Sequence, residues 1–126
     1  MTKRIVSTPD APAAVGPYSQ AVRAGDLLFV SGQIGIDPAT GSLVEGLENQ
    51  VVRVLENLTA IVEAAGGTRA SIVKTTVLLA SIGDFKAMNA IYSEYFAGDP
   101  PARAAYEVAA LPLGALVEIE AVALLS

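Results

Sequence analysis

PARAAYEVAALPLGALVEIEAVA, residues 101–123, is the stretch on which the fold turns. Two runs of small and branched apolar residues flank Leu111, Pro112, Leu113 and Gly114, which carry a turn signal. They read as strands over 103–110 and 115–124, joined as a hairpin. Alternation puts Arg103, Ala105 and Glu107 on one face of the first, and Glu118, Glu120 and Val122 on one face of the second. Pairing Ala110 with Ala115 would set Glu107 opposite Glu118, where two carboxylates repel. Either one of them faces solvent, or the register differs, or a cation such as Arg103 lies close by.

Working back towards the N-terminus, IVKTTVLLA (72–80) is a strand, followed by a helix over 84–96. In that helix Phe85, Met88, Tyr92, Tyr95 and Phe96 gather on one side, with Asn89 among them. A longer helix over 47–65 repeats apolar residues at Leu47, Val51, Val54, Leu55, Leu58, Ile61, Val62 and Ala65. Gly66 and Gly67 supply its stop. DPATGSLVEG (37–46) is turn chemistry, DLLFVSG (26–32) a strand, and 18–23 and 3–7 are shorter strands either side of the APAAVGP loop.

The order β-β-β-α-β-α-β-β predicts an α+β fold, with two helices on one face of a mainly antiparallel six-stranded sheet. No linker or repeat divides the chain, so residues 1–126 are expected to form one domain. Strands such as VLLA and AVALL are apolar towards both faces. The uncovered face predicts a partner, most economically further copies of the chain in a closed ring.

Composition narrows the chemistry. The chain has no cysteine and no histidine, which excludes thiolate nucleophiles, the usual zinc ligand sets and a Ser/His/Asp triad. Thirteen acidic residues against 8 basic ones, with no basic cluster, oppose binding to nucleic acid. The opening MTKRIVST lacks the apolar run of a signal peptide, and no uncharged run approaches the roughly 20 residues of a membrane span. A cytoplasmic location is expected. AAGGTRAS (64–71) follows a helix and matches no nucleotide fingerprint.

Taken singly, the polar candidates admit two readings each. Arg103 is either a strand-edge residue paired with a surface glutamate or a planar fork gripping a carboxylate. Pro100, Pro101 and Ala102 stiffen its approach and leave room beside it. Glu118 either belongs to an outward polar face with Glu120 or is a buried carboxylate able to orient water. Asn89, Ser31 and Tyr18 are each compatible with ordinary helix, strand-end or loop roles.

Together, GPYSQA (16–21), VSGQI (30–34), KTTVLL (74–79), FKAMNAIY (85–92) and the block at 101–123 resemble, in order and spacing, the RidA (YjgF) family of reactive intermediate deaminases. The resemblance covers nearly the whole chain. It implies a chorismate-mutase-like subunit, a homotrimer with clefts between subunits, and hydrolysis of enamines and imines such as 2-aminoacrylate to 2-keto acids and ammonia without a cofactor or metal. It further implies that Arg103 binds the substrate carboxylate and Glu118 orients water. Tyr18, Ser31, Gly32, Asn89 and Ala105 would complete the substrate site.

Two positions depart from the pattern. Relatives often carry Cys, Ser or Thr at the position of Ala105, leaving only backbone contacts here. Relatives often have a lysine where this chain has Leu113, a change expected to affect the surface more than the site. Two competing functions are a non-catalytic trimer that binds small carboxylates, and a ribonuclease, which the missing histidine and the acidic balance oppose.

Overall fold

The computed structural model describes residues 2–126. Three strands, β1 (Lys3–Val6), β2 (Ala21–Ala24) and β3 (Leu27–Gln33), precede helix α1 (Leu47–Ala64). Strand β4 (Ile72–Leu79), helix α2 (Phe85–Tyr95), β5 (Ala102–Glu107) and β6 (Val117–Leu124) follow. The expected element order holds throughout, and the sheet runs β1-β2-β3-β6-β4-β5. Four of its pairings are antiparallel and one, β4 with β5, is parallel.

The expected hairpin between the last two strands does not form. Strands β5 and β6 do run in opposite directions, but β4 lies between them and pairs with both. A parallel β4–β5 pair needs a crossover, and α2 supplies it. Residues 108–116 then pass the end of β4, tied by Val108 N–H to the Leu79 carbonyl (2.9 Å) and Ala80 N–H to the Leu116 carbonyl (3.1 Å). The reason is hydrogen bonding as much as packing: a strand as apolar as IVKTTVLL is best placed inside a sheet, with both edges paired. Glu107 and Glu118 therefore never face each other. Glu107 pairs with Leu79 and accepts from Ile82 N–H at 2.8 Å, while Glu118 pairs with Leu78.

Helix α1 buries Val51, Val54, Leu55, Leu58, Ile61 and Val62 on the face of the sheet that carries Leu28, Val77, Val117, Ile119 and Ala123. Its buried face also holds Gln50 and Asn57, two polar residues absent from the apolar pattern. Both are satisfied by irregular backbone, as burial requires. Asn57 Nδ2 donates to the carbonyls of Ile34 (3.3 Å) and Ile36 (3.0 Å). Gln50 donates to Val44 (3.1 Å) and accepts from Leu116 N–H (2.9 Å). The helix thereby fixes the segments leaving β3 and entering β6.

The opposite face carries Ile5, Phe29, Leu124 and Tyr106, all exposed. Among the described residues no helix is long and apolar enough to cross a membrane.

Candidate active site

Six of the seven candidate residues fall into two clefts, and Ala105 lines neither. The first, of about 700 Å³, is lined by Tyr18, Ser31, Gly32 and Glu118 together with Val15, Ile34, Ile36 and Leu113. The second, of about 480 Å³, is lined by Asn89, Tyr92, Pro100, Pro101 and Arg103.

Glu118 reaches the first cleft because β3 breaks its ladder there. The register between β3 and β6 shifts between Val30 and Gln33, so Ser31 and Gly32 sit at a bulge instead of in a regular pair. Gly32 leaves room for the carboxylate: a Cβ at this position would collide with Glu118 Oε2 and lie 3.0 Å from its Cδ. Burial, and secondly the charge of Glu120 on the same strand face, raise the Glu118 carboxyl above its ordinary 4.5. Ser31 is committed to the scaffold, its hydroxyl donating to the Ser19 carbonyl at 2.6 Å.

Tyr18 stands on a loop held by Gln20, a residue that no local pattern singles out. Gln20 is buried, and its amide donates to the carbonyls of Thr8 (3.1 Å), Ala11 (3.3 Å) and Pro12 (2.7 Å), while its oxygen accepts from Thr8 N–H (2.7 Å). Four hydrogen bonds on one side chain fasten the APAAVGP loop to β2. Gly16, at φ 128°, then turns the chain so that Tyr18 points outward, half exposed.

In the second cleft, Phe85, Asn89 and Tyr92 share one face of α2 at helical spacing and look onto β5. Arg103 lies against them. Its Nη1 donates to Asn89 Oδ1 at 2.6 Å, and its guanidinium carbon stands 4.7 Å from the Tyr92 ring centre and 5.4 Å from that of Phe85. Tyr92 is fixed in turn by a buried 2.6 Å hydrogen bond to Thr75 Oγ1. Burial raises the Tyr92 hydroxyl above its ordinary value, against the opposing pull of Thr75 and Arg103. Arg103 makes no ion pair among the described residues, so the reading as a surface salt bridge does not hold. Ala105 follows two residues on, half-buried opposite Val77 and packed against the core.

The sequence singled out all seven candidates but did not separate them into two groups, nor find Gln20, Thr75 and Tyr92 behind them, and Tyr18, expected to open a strand, lies on the loop before β2. Alternating burial along KTTVLL was the available signal for Thr75. Leu113, where the change was expected to affect the surface more than the site, is exposed and also lines the Glu118 cleft.

Comparison with known proteins places the chain in a family. Residues 8–125 match the family model described as endoribonuclease L-PSP. A human protein named 2-iminobutanoate/2-iminopropanoate deaminase is 51% identical over 125 residues, covering 98% of this chain and 91% of its own. An Arabidopsis thaliana protein named Reactive Intermediate Deaminase A, chloroplastic, is 52% identical over 98% of this chain, which spans 66% of that relative's length. The crystal structure of YyfA from Yersinia pestis, of the conserved Rid protein family, superposes with a TM-score of 0.96 at 48% identity, covering 98% of this chain and 100% of that one. With a family model spanning most of its residues, and relatives and a solved structure near half identity along almost its full length, the chain belongs to the RidA/YjgF family.

Proposed function

We propose that the protein is an enamine/imine deaminase of the 2-iminobutanoate/2-iminopropanoate type, hydrolysing 2-aminoacrylate and related intermediates to 2-keto acids and ammonia. The observation that carries this reading is a pair of complementary half-sites, an unpaired arginine fork braced by Asn89 and Tyr92, and a half-buried carboxylate beside Gly32. The relatives named above support it.

The chemistry asks little of a protein. 2-Aminoacrylate takes a proton at its methylene carbon to become 2-iminopropanoate, whose C=N carbon is electrophilic. Water adds there, and Glu118 accepts the proton that water gives up. That proton passes to the nitrogen to complete the carbinolamine; its C–N bond then breaks as the hydroxyl gives up the water's second proton to the nitrogen, which leaves as ammonia, and pyruvate remains. Arg103 binds the carboxylate bidentately and so fixes the carbon relative to the water. Backbone groups near Gly32 and Ala105 would hold the nitrogen end, and Tyr18 would cover the substrate. A carboxyl with a raised proton affinity suits the exchange of a proton between water and nitrogen near neutral pH.

Arg103 and Glu118 open on opposite faces of one sheet, so a complete site needs Arg103 from one copy and Glu118 from another. A homotrimer with its clefts between subunits meets that need, and the exposed apolar face bearing Phe29 and Leu124 favours self-association. In the cytoplasm such an enzyme would clear reactive intermediates before they damage other proteins.

A carboxylate-binding trimer without turnover would need Arg103 but has no use for a half-buried Glu118. Ribonuclease activity is disfavoured by the missing histidine and by Arg69, which is stacked on Tyr95 (4.5 Å) and bonded to its carbonyl (3.1 Å). The test generates imines with an amino-acid oxidase in the presence of semicarbazide. A deaminase suppresses semicarbazone formation, and a binding protein leaves it unchanged.

A further inference from the structure

On the helix side of the sheet, apart from both clefts described above, α1 presents Glu56, Thr59, Ala60 and Glu63 in one line at helical spacing. Tyr95 of α2 leans across this line. Its hydroxyl donates to the Leu55 carbonyl at 3.2 Å and is hydrogen-bonded to Thr59 Oγ1, which fixes the ring in place. Arg69, from the turn between α1 and β4, lies over that ring with its guanidinium carbon 4.5 Å from the ring centre. Its Nη1 donates to the Tyr95 carbonyl at 3.1 Å, closing the C-terminal end of α2. Together these residues line a cleft of about 620 Å³.

The charges of this cleft are not spent on each other. Glu56 pairs with Arg53 at 3.6 Å, but Glu63 and Arg69 make no ion pair among the described residues, although both line the cleft. The Tyr95 carbonyl takes one guanidinium donor and leaves the rest of the fork without a protein acceptor. Stacking on a pinned ring holds that fork in a fixed plane, so it is organised before any ligand arrives. Burial raises the Tyr95 hydroxyl above its ordinary value, Thr59 and Arg69 oppose this, and Glu56 and Glu63 add to it. Arg69 and both glutamates therefore surround one phenol. Opposite charges that share a concave site without meeting leave room for a ligand that carries both.

We infer that this cleft is a second binding site, for a small free α-amino acid in its zwitterionic form, with the carboxylate on Arg69 and the ammonium on Glu63. The guanidinium fork matches a planar carboxylate, and the glutamate accepts from the ammonium. Ala60 and Ala70 line the same cleft and leave space for a short side chain. A lone anion would be opposed by Glu63 and a lone cation by Arg69, so the site selects for both charges on one molecule. The exposed apolar face that favours self-association is the other face of the sheet, so assembly through it leaves this cleft open.

The test titrates L-alanine, N-acetyl-L-alanine and L-alaninamide into the isotope-labelled full chain and follows its amide resonances, in wild type and in Arg103→Ala, which lacks the carboxylate clamp of the other site. L-Alanine is expected to give saturable shifts on residues 59–71 and on Tyr95 in both proteins. Each blocked form lacks one of the two charges and is expected to bind at least about tenfold more weakly. Arg69→Gln and Glu63→Gln are each expected to weaken L-alanine by about the same factor. Glu63 is exposed and its carboxylate makes no ion pair, so its variant keeps the fold even if the bond from Arg69 to α2 matters for stability. Equal binding of the blocked forms, unchanged affinity in Glu63→Gln, shifts confined to the clefts of Arg103 and Glu118, or no saturable shifts would each overturn the inference. None of these readouts involves imine hydrolysis, so the site stands or falls apart from the deaminase reading.

Discussion

Arg103 and Glu118 lie on opposite faces of the same sheet. Strand β4 measures the relation: Arg103 pairs with Thr75, Glu118 with Leu78, and residues three apart on an unbroken strand point to opposite sides. Thr75 looks towards α2, where it meets Tyr92, and so does Arg103. Glu118 looks the other way, into the cleft opened by the β3 bulge. Neither group can serve the other's ligand within one copy of the chain.

The arginine clamp predicts a cost for its removal. A charge-assisted hydrogen bond is worth roughly 1.5 to 3 kcal/mol, so Arg103→Ala is expected to lower kcat/KM at least about tenfold on imines that carry a carboxylate. Arg103→Lys keeps the charge and loses the planar fork, and should recover little. Semicarbazide competition with defined imines measures both, and wild-type kinetics in the Ala variant would contradict the assignment.

Glu118 makes a prediction about pH. Its folded-state carboxyl is raised above the ordinary 4.5 by burial and by Glu120, so the folded chain holds the proton more tightly than the unfolded one. Ionising it therefore opposes folding, and its contribution makes stability fall as pH rises from about 4.5 through the folded value. Glu118→Gln, which carries no charge, should melt above wild type at pH 7, with the difference shrinking towards pH 4. The same variant should lose the acidic limb of the kcat/KM profile along with most of its activity. A Gln variant less stable than wild type at neutral pH, or one that keeps the limb, would count against this account.

Gly32→Ala probes the fit of the carboxylate. The added methyl would occupy the position of Glu118 Oε2, and the φ of this glycine is not left-handed, so the backbone itself tolerates alanine. The carboxylate must move. Displacing a reacting group by about 1 Å can cost on the order of a hundredfold, so activity should drop steeply while far-UV circular dichroism stays native. Full activity would mean that the position of Glu118 is not critical.

Thr75→Val removes the partner of the Tyr92 hydroxyl inside the core. An orphaned buried donor costs about 1–3 kcal/mol, to be read from denaturant midpoints at an unchanged m-value. Tyr92→Phe, which removes the hydroxyl and keeps the ring beneath Arg103, should hold its affinity for keto acids far better than Tyr92→Ala. Equal loss in both variants would show that the ring is no shelf for the guanidinium.

Much of this was legible in the sequence. The spacing from Val51 to Val62 dictates a helix with one buried face, and α1 lies where that spacing puts it. Arg103 and Glu118 stood out as candidates because an arginine among PPARAA and a glutamate among VEIEA conflict with their neighbours unless they are used. Strand adjacency was not legible. The turn at Leu111–Gly114 has the chemistry of a hairpin, but a turn fixes only local direction, and the position of β6 beside β3 is set by β4 needing partners on both edges. Gln20 was hidden for a related reason: its four hydrogen bonds go to backbone distant in sequence, and no local pattern announces them.

The central claim, a site assembled from Arg103 of one copy and Glu118 of another, is tested most directly by co-expressing Arg103→Ala with Glu118→Gln in equal amounts and assaying the mixed oligomers. Each variant alone keeps only a small residual activity under this account. In random mixtures around a closed ring, about one site in four receives the intact arginine from one chain and the intact glutamate from its neighbour. Recovery of about a quarter of wild-type activity is the predicted result, and residual activity no greater than that of the separate variants would contradict it.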